Sequence, residues 1–536
     1  MERPNVVFGR RASEGMFRGA EKLGRLLSLT LGPVKGHIVL ARDMGSSDRY
    51  EAIADAATIA RRIIALPEPT EDVGAMLLRQ LVWRVRQKAG DGSATAAVLA
   101  LAIMREARRC IVAGANAMRL REGVELGARA AVKALQKMAQ PLEGQERLAA
   151  LAAGVCGDAA MGKIIGEIFD TLGPEGIVTV QDYVGFYLDR EYIEGSRFKG
   201  KFTSRFFLTD TNYKLVQLVR PYIFISEWNL SETAKVQPLL ELMLREGEGR
   251  PLLVLSASQD GDALSALLAN HQRGVLQCCG ATLSGVGDPM RAALDDLALV
   301  TGGRFLYRDG QLNPSDVRLS DLGQAARVEV SEDFVTVFEG AGDRKAIRKR
   351  VQMLRSLLPE AKDAEEANDI RQRLGRLGGG IAILKVGAPT DKERERLRQQ
   401  AEEAVNVVAG AYQGGVVAGG GAAYLACIPA VKAVQAEGDV AIGVAILARA
   451  LEEPMRCLSA NAGMDPSVAV ARCQREGQGY GVDVRSGEVV DMQRAGIMDS
   501  VRVLQTALES AVSGASMLFT TGAIFLHRKP ELSVEP

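Results

Sequence analysis

The sequence predicts a multidomain protein of mixed α and α/β type. One helical domain is built from both ends of the chain, and an α/β segment is inserted between them. Three observations predict this. Apolar residues recur at helical spacing through roughly the first 135 residues. Strand-like runs alternate with helical stretches between roughly 195 and 340, the pattern of an α/β unit. Beyond roughly residue 413 the chain is helical again, alanine-rich and buried in character. Its 536 residues suffice for about three domains.

Taken in order, "MFRGAEKLGRLLSLTLG" predicts a helix that stops at Gly32-Pro33. "HIVLA" (37–41) reads as a short strand. "AIADAATIARRIIAL" (52–66) and "VGAMLLRQLVWRVRQKAG" read as further helices. Residues 93–113 are apolar nearly all round, which predicts a deeply buried helix, with Gly114 ending it. Composition changes after Pro141. "LVQLVRPYIFIS", "PLLVLSA", "GRFLYR" and "RVEVSEDFVTVFEG" predict strands; "AKVQPLLELMLREG" and "GDALSALLANHQRG" predict the helices between them. In 343–377, Ile347, Val351, Leu354 and Leu358, then Ile370, Leu374 and Leu377, predict an antiparallel helix pair with one solvated face. "GGGIAILKVG", a helix over 391–412 and "GGVVAGGGAAYLA" follow. Gly195, Gly378-Gly379-Gly380 and Gly414-Gly415 are candidate joints around which the inserted part can swing.

The totals exclude several classes. Basic and acidic residues number 66 each, so no global polybasic surface exists for nucleic acid or membrane. No stretch reaches the ~18 apolar residues needed to span a bilayer. "MERPNVVFGRRASEGMF" lacks a signal peptide's apolar run, so the expected location is the cytoplasm. The seven cysteines are scattered without a C-x-x-C, and the three histidines (His37, His271, His527) form no zinc pattern.

Local chemistry concentrates in "KAGDGSATAAVL" (88–99). Gly90, Gly92 and Ser93 let backbone N–H groups approach a ligand, and the helix that follows favours an anion at its N-terminus. Asp91 would repel a phosphate there unless a cation lies between them. Mg²⁺, which takes one or two carboxylates plus phosphate oxygens, resolves that conflict. Ser93 and Thr95 add hydroxyl donors. Alone, the motif reads more simply as an ordinary helix N-cap. Two further bends, "LTLGPVKG" (29–36, with Lys35) and "VVAGGGAAYL" (416–425), have the same character, and three together point to one nucleotide pocket.

The segments "FGRRASEGMFRGAEKLGRLLSLTLGPVKG", "AGDGSATAAVLA", "LGQAARV", "GGGIAILKVGAPT", "GVVAGGGAAYL" and "AGIMDSVRV" occur in the order and spacing of the group I (GroEL-like) chaperonins. The chain resembles that family colinearly from about residue 5 to 525. The resemblance implies an equatorial ATPase domain (1–137 and 413–536), an intermediate domain (138–194 and 381–412) and an apical domain (195–380). It also implies a homo-oligomeric, double-ring assembly that uses ATP and Mg²⁺, with K⁺ as a further candidate ion. Such a ring encloses non-native proteins, with a co-chaperonin lid as a candidate partner and no nucleic-acid or membrane partner. Carried over by position, Thr30, Leu31, Gly32 and Pro33 resemble the first phosphate loop. Asp91 resembles the Mg²⁺ ligand, with Gly92, Ser93, Ala94 and Thr95 in the adjoining phosphate-binding turn. Gly420 and Asp499 resemble the ribose and base contacts. Asp55 and Glu403 resemble the two catalytic carboxylates.

The departures are specific. Ala54 replaces a lysine, Gly481 replaces a base-contacting asparagine, and Glu403 is one methylene longer than the family's aspartate. The end "HRKPELSVEP" lacks the family's Gly-Gly-Met repeats. An alternative implication is therefore a divergent ring with weak ATPase that holds selected clients. For client contact the matching apical positions include Phe206, Leu240, Leu264 and Leu268, which read equally as plain core. Lys201, Arg205 and Gln237 make any such groove more polar.

Overall fold

Residues Met1–Asp170 fold together with Ala388–Pro536, and Thr171–Gly387 form a second unit. The computed structural model describes residues 5–34, 36, 38–41, 50–53, 55–173, 176–183, 185–193, 195–210, 214–285, 287–307, 314–358, 364–378 and 380–526. Lys35, His37, Ala54, Gly379 and His527 lie outside the described residues.

The first unit is helical because its periodic segments are rich in alanine and glycine, which lets helices approach closely. Helix Gly9–Ser28 crosses Pro69–Ala89 so tightly that a Cβ on Gly74 would sit 1.9 Å from the Met16 carbonyl oxygen. Helix Ser93–Val112 is the central rod, with Ala96, Ala97, Leu99, Ile103 and Met104 all buried. It packs against Gly9–Ser28 and Val501–Thr520, so segments from both ends of the chain share one core. Gly114, one residue past the helix C-cap Ala113, adopts a positive φ of 103°. The segment expected as one helix over 52–66 divides: Tyr50–Ile53 is a strand and only Ala56–Arg62 is helical. Asp55 makes the break, since its carboxylate accepts the Thr58 N–H at 2.7 Å and caps the helix.

The C-terminal part also contains strands that apolar periodicity hides. Asn5–Phe8 pairs antiparallel with Ala523–Leu526, joining the two ends of the unit. Val416–Ala418 pairs with Met498–Ser500, and Tyr480–Asp483 with Glu488–Asp491. Each is three or four residues long, too short for alternation to declare itself.

The second unit carries the expected α/β pattern. Its eight-stranded sheet runs Phe305–Leu306, Tyr222–Ser226, Leu252–Leu255, Cys278–Leu283, Gly195–Phe202, Phe334–Gly340, Gly323–Val330, Val216–Val219. The first four strands are parallel and the rest antiparallel. Helices Thr233–Glu246, Gly261–Gln272 and Asp288–Thr301 make the crossovers that parallel strands require. The helix pair predicted in 343–377 is Arg344–Leu357 and Ala364–Gly378, with Leu354, Ile370, Leu374 and Leu377 buried. Ile177–Asp182, Ile381–Val386 and Leu188–Ile193 form a separate three-stranded sheet. Among the described residues no helix is long and apolar enough to cross a membrane.

Candidate nucleotide site

The first bend ends helix Gly9–Ser28. Gly32 takes a φ of 96°, and a Cβ there would meet the Leu458 side chain at 2.4 Å. Thr30 is buried and donates its hydroxyl to the Leu27 carbonyl at 2.7 Å. Asn461 fixes the bend from across the unit: its side-chain amide donates to the carbonyls of Ser28 (2.9 Å) and Leu31 (3.0 Å). Pro33 follows in an exposed bend.

The second bend joins Pro69–Ala89 to Ser93–Val112. Gly90 and Gly92 have φ values of 79° and 89°, a conformation that residues with a Cβ rarely adopt. Asp91 between them is exposed and accepts the Gly92 N–H at 2.6 Å. Gly92 is the helix N-cap and supplies no side-chain acceptor. Ser93 is turned inward, its hydroxyl on the Val82 carbonyl at 3.2 Å. With no side-chain cap, the helix start at Ser93, Ala94 and Thr95 has the geometry that favours an anion.

The third bend repeats that design. Gly420 and Gly421 have φ values of 64° and 81°, and Gly421 caps helix Ala422–Lys432 without a side chain. A Cβ on Gly421 would lie 2.9 Å from the Met455 nitrogen. Helix Glu453–Asn461 therefore braces the third bend through Met455 and the first through Leu458 and Asn461.

Asp499 links the second and third bends. It lies on the strand Met498–Ser500 and its carboxylate takes the Gly420 N–H. Burial, and then the charge of Asp91, push its carboxyl up to about 7; the Gly420 N–H works against them. Asp91 and Asp499 thus bring two carboxylates to a helix end that has no side-chain cap. That fits Mg²⁺ with phosphate oxygens, which needs only one or two carboxylates. Among the described residues no group of three metal-ligating side chains exists.

Asp55 and Glu403 come together through a residue that sequence reasoning missed. Arg86, in the last turn of Pro69–Ala89, donates from one terminal nitrogen to Asp55 at 2.9 Å and from the other to Glu403. The Arg86 and Glu403 side chains are each 19% exposed. Glu403 is on helix Asp391–Gly414, whose backbone rides over the second bend: a Cβ on Gly90 would lie 3.0 Å from Asn406 Cβ and 3.6 Å from the Glu403 carbonyl oxygen. Glu403 is 317 residues from Arg86, and Asn461 is 430 residues from Leu31. No local pattern announces either contact.

In the second unit Phe206 is 70% exposed. Leu264 and Leu268 are half-buried and pack on the core. Leu240 is only 6% exposed, so the expectation of a surface contact there is corrected: it is core. Arg205 pairs with Glu332 at 3.0 Å and Gln237 with Glu241 at 2.8 Å, so those polar positions are engaged locally.

The chain belongs to the TCP-1/cpn60 chaperonin family, whose model matches residues 23–177 and 228–529. Its fold is similar to two crystal structures of the chaperonin gp146 from bacteriophage EL 2 (Pseudomonas aeruginosa), both in the presence of ATP-BeFx. One has a TM-score of 0.76 at 17% identity, covering 98% of this chain and 99% of that chain. The other has a TM-score of 0.71 at 16% identity with the same coverage. The multidomain helical and α/β chaperonin fold expected from the sequence is thus the fold observed.

Proposed function

We propose that this chaperonin is an ATP-driven folding machine whose nucleotide site is the junction of the three glycine bends. The carrying observation is that bends at Gly32, Gly92 and Gly420 share one unit with Asp91, Asp499, Asp55 and Glu403. The chaperonin gp146 structures contain ATP-BeFx, which supports a nucleotide role for the same fold here.

In this reading the Thr30–Pro33 bend and the N–H groups of Ser93, Ala94 and Thr95 bind the phosphates. Asp91 holds Mg²⁺, which supplies charge neutralisation on the phosphate oxygens. Gly420 and Asp499 lie toward the nucleoside. Glu403 and Asp55 orient the attacking water and accept its proton, the part a carboxylate plays in phosphoryl transfer. The chain is divided as equatorial (1–137, 413–536), intermediate (138–194, 381–412) and apical (195–380) domains. It acts in the cytoplasm as a homo-oligomeric ring, double in the simplest case, and encloses non-native polypeptides with or without a lid. Phe206, Leu264 and Leu268 belong to the client-contact face.

The test is steady-state ATP hydrolysis by the purified full chain, with and without a denatured protein, together with electron-microscopy class averages. Mg²⁺-dependent turnover that changes with client, from ring-shaped particles, is the expected result. Rings without turnover would instead make it the client-holding relative, and a monomer without turnover would remove both readings.

A further inference from the structure

The guanidinium of Arg86 bonds both Asp55 and Glu403. These carboxylates have independent supports. Asp55 is held by the Thr58 N–H at the start of helix Ala56–Arg62. Glu403 is carried by helix Asp391–Gly414, on a different part of the unit's surface. Both reach the same planar group through its two terminal nitrogens, which are about 2.3 Å apart in any arginine. The two contacting carboxylate oxygens therefore lie within roughly 8 Å of each other, where like charges repel in a partly desolvated site. A fork of fixed geometry both cancels that repulsion and sets the spacing, which a lysine's point charge does not.

Arg86 is also well placed to act on the site without belonging to it. It sits one turn before Gly90, where its own carbonyl accepts the Gly90 N–H at 2.9 Å. The same turn is closed from outside by Arg502, which donates to the Lys88 carbonyl at 2.9 Å. The base of the fork is thus a capped helix end, which holds the guanidinium's root still. A cation from helix Pro69–Ala89 stands here beside an Asp55 that is preceded in sequence by alanine, not by a cationic residue.

We propose that Arg86 is a positioning residue for ATP hydrolysis: it clamps Asp55 and Glu403 into one pair and so aligns both for the attacking water. This rests on the reading of the two carboxylates given above. Arg86 has no part in holding the nucleotide. Its loss should act on the hydrolytic step and spare binding, because a displacement of about 1 Å at a catalytic group can cost ~10²-fold.

The experiment uses the full-length protein with ATP and Mg²⁺. Single-turnover hydrolysis and the affinity for a fluorescent ATP analogue are measured for wild type, Arg86→Gln, Arg86→Lys, Asp55→Ala, Glu403→Ala and the double variant Arg86→Gln/Glu403→Ala. Arg86→Gln should hydrolyse about 10²-fold more slowly with analogue affinity within about 3-fold of wild type. Arg86→Lys should fall between them. In the Glu403→Ala background Arg86→Gln should cost less than about 3-fold, since residues acting as a unit are not additive. Thermal melts verify folding, and if Arg86→Gln misfolds, Arg86→Lys still reports the split between hydrolysis and binding. Wild-type hydrolysis by Arg86→Gln, or a full second loss in the double variant, overturns the clamp while leaving the carboxylates in place. Wild-type hydrolysis by both Asp55→Ala and Glu403→Ala removes the carboxylate assignment and the clamp with it.

Discussion

Asp296 is a buried acid and Asp499 a half-buried one, and the two units treat them in opposite ways. Asp296, in the second unit, is fully buried and surrounded by cations. Arg373 meets it with two hydrogen bonds of 2.7 Å and Arg350 lies at 3.5 Å. These arginines come from the helix pair Arg344–Leu357 and Ala364–Gly378, so the cluster pins that pair to helix Asp288–Thr301. Asp499, in the first unit, has no cation among the described residues, only the Gly420 N–H and a neighbouring carboxylate, Asp91. Asp296 is a completed ion cluster and explains packing. Asp499 is held raised by burial and a second carboxylate, and in the proposed function Mg²⁺ at Asp91 brings the positive charge that this corner lacks.

The sharpest way to break this comparison is to delete one acid from each unit. Asp91→Ala should lower Mg²⁺-dependent ATP turnover by roughly 10³-fold, the scale of losing one charge-stabilising contact, with the protein still folded. Asp296→Ala should do the reverse. It strands the Arg373 guanidinium, while Arg350 keeps Asp295 at 2.8 Å, and should cost about 3 kcal/mol, toward the lower end for a broken buried pair because Arg373 keeps some solvent contact. Turnover assays and denaturant melts on both variants decide it: a destabilised Asp91→Ala with normal turnover would make the two acids alike.

A smaller effect follows from pH. The Asp499 carboxyl sits at about 7 against an ordinary 3.8, so between these values the folded chain binds more protons than the unfolded one. Stability should fall as pH rises from about 4 through about 7, then level off. Asp499→Asn should flatten that slope in nucleotide-free calorimetric melts. The variant should exceed wild type by the widest margin at pH 8, with the margin narrowing at pH 5. A margin independent of pH would mean that Asp499 is ionised throughout.

The smallest expected change lies on the surface of the second unit. Phe206 is exposed, so Phe206→Ser should leave stability within about 0.5 kcal/mol. Capture of a denatured protein should nevertheless weaken several-fold, as for the loss of one aromatic anchor. Unchanged capture, measured by light scattering of the aggregating client, would place client contact elsewhere.

Much of the fold was legible locally. Periodicity marked the buried rod Ser93–Val112 and the pair formed by Arg344–Leu357 and Ala364–Gly378 because each carries several turns of one repeating pattern. It failed over 52–66, where Asp55 caps a helix and ends a strand pair within a few residues. It also failed for Leu240, since leucine at helical spacing looks the same whether it faces solvent or core. In the site, the three glycine bends could be read because positive φ values and uncapped helix ends leave a compositional trace: glycine where a side chain is barred. Asp91 stood out because a carboxylate at a phosphate-type turn is a local contradiction.

What the sequence by itself determined is therefore the set of local decisions: where helices run, where they stop, and which bends expose backbone N–H groups. Those depend on residues a few positions apart, and neighbours in the chain carry the information. Tertiary structure alone decided that Asn461 holds Leu31, that Asp499 lies where Asp91 raises its carboxyl, and that Arg86 joins Asp55 to Glu403. Each depends on a charge or a donor arriving from hundreds of residues away, and a side chain's energy there is set by distance and burial, neither of which a linear order contains.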